Sequence, residues 1–190
     1  FSNEENFTSK SLEEELKWAK ALLDKGHRDV AKWHLFEIEK RLKTKKDITP
    51  LVKFYLENKY YNRALSLVNG VISTNGKKLN LKEEGMLWSA LFPKAYNETV
   101  AEQSKVRGIP TYLIWSIMKA ETQYKADAIS PVGAVGLMQF MPYTSKKVAS
   151  MLKVDHKTEQ LYSPEVSIQF GAMYLRKLAN ELGEQIPLVS

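Results

Sequence analysis

One carboxylate, Glu121, closes an apolar stretch, Ile114-Trp-Ser-Ile-Met-Lys-Ala-Glu121-Thr-Gln-Tyr124. A turn-rich segment follows it, Ser130-Pro-Val-Gly-Ala-Val-Gly-Leu-Met-Gln139-Phe-Met-Pro142. Leu113, Ile114, Ile117 and Met118 recur at helical spacing, and Glu121 comes three residues after Met118 and four after Ile117. That register predicts that Glu121 shares their face and points inward. A carboxyl group among apolar side chains keeps its proton, because desolvation penalises the charged form. The chemistry on offer is therefore proton donation by a single acid. The plainer reading is a glutamate that closes a salt bridge or ends its helix.

The segment after Glu121 could fold back over it. Gly133 and Gly136, three apart, permit positive φ and close backbone approach. Leu137-Met138-Gln139 sets a thioether beside an amide, a mixture suited to a polar ligand with apolar faces. We read these residues as a short helix ended by Met141-Pro142, with Pro142 opening the next. Gln139 and the Ser130 hydroxyl are candidate hydrogen-bonding groups, Ser130 reading more naturally as a cap. Asp127, the nearest acid, sits in a polar loop and reads as a turn residue. Spacing alone supports no more than an acid in a cleft.

These residues need a scaffold, and the periodicity supplies helices. Apolar positions predict helices over 11–24, 28–43, 49–57 and 60–73, and no stretch alternates convincingly as a strand. Leu22-Leu-Asp-Lys-Gly26-His-Arg-Asp-Val-Ala31 aligns with Tyr55-Leu-Glu-Asn-Lys59-Tyr-Tyr-Asn-Arg-Ala64 at an offset of 33. Such a period belongs to stacked helix-turn-helix units; an irregular helical bundle is the alternative. A polar connection at 74–80 leads to a short helix at 81–90. Pro93 suits the first turn of a helix over 93–106, and Arg107-Gly108-Ile109-Pro110 reads as a stop followed by a start. The expected division is a helical arm with repeat-like hairpins over 1–91 and a compact domain over 92–190.

Composition narrows the function classes. The 190 residues are 44% hydrophobic and 26% charged, ordinary for a globular chain. No run approaches the roughly eighteen apolar residues of a membrane helix, so no transmembrane segment is expected. The formal net charge of +6 is mild, with one cluster at Lys40, Arg41, Lys43, Lys45 and Lys46 that reads as a solvated helix end. Without interleaved aromatics or a known motif it does not indicate nucleic acid. There is no cysteine, so disulfides and thiolate zinc sites are excluded. His27, His34 and His156 lack metal-ligand spacing, and neither metal nor cofactor is expected. The opening Phe1-Ser-Asn without Met reads as a mature or trimmed product.

Taken together, Glu121-Thr122 and Ser130-x-x-Gly133-Ala134-x-Gly136-Leu137-Met138-Gln139-x-Met141-Pro142-x-Thr144 resemble the signature of the soluble lytic transglycosylases. Leu161-Tyr-Ser-Pro164-Glu165, with Ile168, Gly171, Tyr174 and Leu175, is similar to that family's second helical motif. Leu91-Phe-Pro93-x-x-Tyr96 resembles its entry linker. The resemblance covers about 92–180 in sequence and 1–91 only in architecture. It implies a mainly α fold, a superhelical arm followed by a lysozyme-like catalytic domain. It also implies periplasmic cleavage of peptidoglycan glycan strands after signal-peptide removal. Glu121 would then act as general acid and then base, with Met138, Gln139, Ser130, Thr122 and Gly136 binding substrate.

Two departures stand out. Thr122 replaces the usual Ser but keeps the hydroxyl. After Leu182 nothing matches the family's Ala-Tyr-Asn-Ala-Gly-like motif, so the resemblance implies a domain truncated at its C-terminal end. A further segment or a partner would then complete the site. The competing expectations are a hydrolytic muramidase like the goose-type lysozymes, and a glycan-binding, inactive form on a helical-repeat scaffold.

Overall fold

Two turns thirty-three residues apart organise the first half. The computed structural model describes residues 9–75, 79–80, 82 and 84–183. Contacts divide the chain between Pro93 and Lys94 into two compact units. In the first, α1 (Ser9–Asp24) pairs with α2 (Arg28–Arg41), and α3 (Lys45–Glu57) pairs with α4 (Tyr61–Asn75).

Each pair turns on a left-handed residue, Gly26 (φ 83°) in one and Lys59 (φ 63°) in the other. The hydrogen bonds match at the same offset. His27 N–H donates to the Leu22 carbonyl at 2.9 Å, and Tyr60 N–H to the Tyr55 carbonyl at 2.8 Å. This is how a helix C-terminus satisfies its last carbonyls through a left-handed residue. Ala31 and Ala64, each one turn into the following helix, are fully buried. The repeat in the sequence is thus a repeated hairpin in the structure.

α3 begins earlier than expected. Thr44 Oγ1 accepts the Asp47 N–H and Asp47 Oδ2 accepts the Thr44 N–H, a reciprocal cap. It starts the helix at Lys45 and leaves Pro50 inside it, whereas the sequence reading used Pro50 to place the start at 49. Ile38, Ile48, Leu51, Val52, Ala64 and Val68 form the centre of this unit's core. Buried Tyr55 donates to Glu39, which also accepts from Arg63. Burial, reinforced by Glu39, pushes the Tyr55 hydroxyl well above its usual pKa.

In the basic cluster Lys40 pairs with Glu37, Arg41 with Glu15 and Lys45 with Glu84, so these charges are compensated locally. α5 (Gly85–Leu91) adds Leu87 and Ala90 to the core. It begins at Gly85 and not at 81; residues 81 and 83 lie outside the described set, as does much of the 74–80 connection.

The second unit holds α6 (Asn97–Arg107), α7 (Thr111–Thr122), α8 (Pro142–Leu152), a 3-10 turn (Thr158–Tyr162) and α9 (Pro164–Glu181). Pro93 does not open α6: Tyr96 adopts φ 52° immediately before Asn97, which delays the helix by four residues. α9 carries Ile168, Phe170, Gly171 and Ala172 into the core. Its Arg176 donates to the carbonyls of Arg107 at 2.6 Å and Gly108 at 2.5 Å, capping α6 from outside. Gly108 is left-handed (φ 59°), and a Cβ there would meet the Arg176 guanidinium at 2.6 Å. Trp115 of α7 donates its indole N–H to the Ala95 carbonyl at 2.9 Å. Only isolated bridges, Ile129 with Val135 and Val135 with Phe140, represent β structure among the described residues.

Candidate active site

α7 buries Ile114 and Met118, one turn apart, and its last turn carries Glu121 and Thr122. Glu121 is exposed, which overturns the expectation that it points into the core. Helical register fixes a direction, but burial also needs a neighbour lying over that turn. Here the chain reverses at once. Gln123 (φ 50°) and Tyr124 (φ 67°) are both left-handed, and Tyr124 N–H reaches back to the Met118 carbonyl at 3.2 Å. The reversal tucks Tyr124 inward, 4% exposed, and burial pushes its phenol pKa up to about 12. Tyr124 is thus the buried aromatic that follows α7. Among the described residues no hydrogen bond or ion pair engages the Glu121 carboxylate.

Thr122 is the link to the Gly-rich segment. Its hydroxyl reaches the carbonyl of Met118 (3.2 Å) and, across the chain, that of Leu137 (3.0 Å). The segment itself is a tight reversal and not the short helix read from the sequence. Val135 and Phe140 exchange backbone hydrogen bonds, each 3.0 Å, around the turn Gly136–Gln139. A helix is ruled out because Gly136 (φ 78°) and Gln139 (φ 49°) both adopt left-handed backbone.

The loop before it is closed by Ser130, whose Oγ accepts the Ala134 N–H at 2.9 Å while its own N–H donates to the Ala134 carbonyl at 2.9 Å. Gly136 N–H donates to the Ala128 carbonyl at 2.9 Å. Asp127 lies exposed on this loop.

α9 holds the other side of the turn. Ser167 Oγ accepts the Met138 N–H at 3.2 Å. Met138 is 8% exposed, and a Cβ on Gly171 would meet its sulfur at 2.0 Å. Met138 therefore belongs to the core, not half to a ligand platform. Phe140 packs edge-on to Phe170 and Tyr174. Gly136 is required twice over: its φ is positive, and a Cβ would lie 2.2 Å from the Leu161 carbonyl oxygen.

Gln139 spends its amide N–H on the turn, donating to Gly136 O at 2.9 Å and Ala128 O at 3.4 Å. Its Oε1 makes no hydrogen bond among the described residues. The sequence reading passed over Met141, treating it only as a helix end. It is 40% exposed beside this turn, and its signal lay in the pattern: Met138 and Phe140 face in, so the next turn residue faces out.

The six residues named from the sequence thus separate into two groups. Glu121 and the Gln139 carbonyl oxygen are open to solvent; Thr122, Ser130, Gly136 and Met138 hold the backbone that presents them. A carboxylate so placed can donate and accept protons, and an amide oxygen beside an exposed thioether can accept from a polar ligand.

Residues 98–190 match the family described as the Transglycosylase SLT domain. The chain is 34% identical over 104 residues to the soluble lytic murein transglycosylase of Escherichia coli K12, covering 52% of this chain and 16% of that protein. It is 30% identical over 135 residues to the membrane-bound lytic murein transglycosylase C of Mannheimia succiniciproducens, covering 67% of this chain and 35% of that one. Among solved structures, an inactive Glu-to-Gln mutant of the lytic transglycosylase Slt from Pseudomonas aeruginosa matches with a TM-score of 0.65 at 26% identity, covering 87% of this chain and 25% of the other. The 70 kDa soluble lytic transglycosylase in complex with bulgecin A matches in fold, with a TM-score of 0.68 at 24% identity over 90% of this chain and 26% of that one. The chain thus spans about a quarter of the length of those structures and less of the E. coli relative. The mainly helical, lysozyme-like architecture expected from the sequence is the one found.

Proposed function

Because the chain belongs, through residues 98–190, to the lytic transglycosylase family, we propose that it carries the glycan-cleaving unit of a peptidoglycan lytic transglycosylase of the bacterial envelope, working in the periplasm. In this reading residues 92–190 are the catalytic domain and residues 1–91 a helical-repeat arm. The relatives' names, all murein transglycosylases, support the substrate class.

The observation that carries the mechanism is the isolation of Glu121: an exposed carboxylate with no protein partner, at the end of a helix tied by Thr122 to a rigid turn. Hydrolytic glycosidases generally work with two carboxylates, and no acidic side chain pairs with Glu121 among the described residues. A one-acid cycle fits this arrangement. Glu121 donates its proton to the oxygen bridging N-acetylmuramic acid and N-acetylglucosamine, and the bond from that oxygen to the muramic anomeric carbon breaks. The neighbouring acetamido oxygen stabilises the cationic sugar. The Glu121 carboxylate then takes the proton of the muramic 6-hydroxyl as its oxygen bonds to the anomeric carbon. Glu121 ends protonated as it began, no water is consumed, and the product is a 1,6-anhydromuramyl end.

The free chain leaves Glu121 wet, so the glycan itself supplies its apolar cover when it lies across the end of α7. Gln139 Oε1 accepts from a sugar hydroxyl or acetamido N–H, and Met141 lies against a sugar face. Ser130, Thr122, Gly136 and Met138 act by positioning. The test is digestion of purified peptidoglycan in ¹⁸O-labelled water with mass analysis of the new ends. Anhydro ends without label are expected; labelled reducing ends would make the chain a hydrolase.

A further inference from the structure

Beyond the turn, α8 opens with Pro142 and carries Tyr143, Lys146, Lys147 and Ser150 on one exposed face, three and four residues apart. α8 contains no acidic residue, and among the described residues no carboxylate pairs with Lys146 or Lys147. Tyr143 is 70% exposed, an unusual degree for a large aromatic ring. The Lys147 ammonium lies 4.4 Å from the centre of that ring, within cation–π range.

A second helix repeats the combination. On α9, Lys177 stands 6.0 Å from the ring centre of Tyr174, although Lys177 is also paired with Glu181. Tyr143 first, and then Tyr174, favour the charged form of Lys147 and push its pKa up from the ordinary lysine value. Tyr174 in turn packs edge-on to Phe140, inside the turn that Thr122 ties to α7. The patch is therefore continuous with the candidate active site. Six residues separate Leu137 from Tyr143, a span of at most about 20 Å.

A solvated helix face has no need of an exposed ring with a cation on it. Flat apolar surface beside uncompensated positive charge complements a ligand that pairs apolar faces with carboxylates. Peptidoglycan offers that on its peptide stems, whose glutamate and terminal carboxylates are anionic while the sugars they hang from are neutral.

We propose that Tyr143 and Lys147, flanked by Lys146 and Tyr174, form a subsite for peptide-stem carboxylates, which makes this chain selective for glycan strands that still carry their stems. The proposal rests on the peptidoglycan reading above and adds to it a feature of the substrate that Glu121 does not touch. Lys147 supplies charge, and Tyr143 holds the ammonium in place while presenting its free ring face.

The experiment uses the full chain with Glu121→Gln, so that binding is read without turnover. The probes are fluorescent glycan strands bearing tetrapeptide stems and the same strands stripped by an amidase. The expected result is tighter binding of the stem-bearing strands by about fivefold per exposed ion pair formed, shrinking as salt rises. Lys147→Gln and Tyr143→Ala each remove that preference and leave the affinity for stripped strands unchanged; Lys147→Arg retains it. Equal affinity for the two strands would overturn the subsite and leave the proposed reaction standing. So would an equal loss on both strands in Lys147→Gln. Absence of binding to either strand would overturn the peptidoglycan reading and the subsite with it.

Discussion

The two units use left-handed backbone for different ends. In the first, Gly26 and Lys59 reverse the chain between antiparallel helices; the geometry is repeated and its neighbours are open, for a Cβ on Gly26 meets nothing within 4 Å. In the second, Gln123 and Tyr124 follow Glu121 directly, and Gly136 and Gln139 bound the turn that Thr122 grips. Here the unfavourable conformations cluster around one carboxylate and are enforced by packing from α7, α9 and the 3-10 turn. A repeated turn joins elements; the clustered one fixes where a functional group stands. Strained backbone held by its surroundings is what a preorganised site requires.

The sharpest way to break this contrast is to add one methyl group to each kind of turn. Gly136→Ala sets a Cβ against the Leu161 carbonyl oxygen at 2.2 Å. It should cost about 3 kcal/mol in urea unfolding and abolish activity. Gly26→Ala meets only the left-handed penalty, about 1 kcal/mol, and should leave activity intact. Equal losses would erase the distinction between the turns.

A smaller effect should come from the Thr122 clip. Thr122→Val keeps the shape but loses the hydrogen bond to the Leu137 carbonyl, worth about 1 kcal/mol. Because Thr122 positions Glu121, kcat should fall with little change in KM, and Thr122→Ser should restore it. A change confined to KM would make Thr122 a substrate contact.

The smallest effect is a pH dependence in the second unit. His156 packs 4.7 Å from Phe170, and burial pushes its pKa below the ordinary histidine value. The folded state therefore favours neutral His156. Its contribution to stability is intact above the unfolded pKa, about 6.5, and is lost as pH falls from there through the lowered folded value. Melting curves between pH 7.5 and 5 should show a decline that His156→Phe reduces; an unchanged decline would assign it to other groups.

Much of the scaffold was legible because it is local. The thirty-three-residue repeat, the apolar register of α7 and Pro142 at the start of α8 all come from neighbouring residues. The misplacements have specific causes. Pro50 suggested a helix start, but the Thr44–Asp47 cap lies upstream and wins. Pro93 suggested another, but left-handed Tyr96 intervenes. Leu137–Met141 looked helical because its apolar residues are dense, yet they are divided between α9 and solvent by a turn that depends on Gly136.

At the site, the motif picked out Glu121 and Gln139, but their exposure could not be read from register. It depends on the reversal at Gln123 and Tyr124, which no periodicity announces. Met138 and Met141 exchanged roles for the same reason.

The central claim is that one exposed carboxylate, presented by a rigid turn, performs the proton transfers alone. Glu121→Gln tests it most directly, because the amide keeps the shape and, with no partner to lose, should leave folding untouched. The measurement is the rate of release of anhydromuramyl fragments from purified peptidoglycan, with melting temperature recorded alongside. The account predicts a loss of at least about 10²- to 10⁴-fold at unchanged melting temperature. Retention of most of the activity would contradict it and move the chemistry to another group.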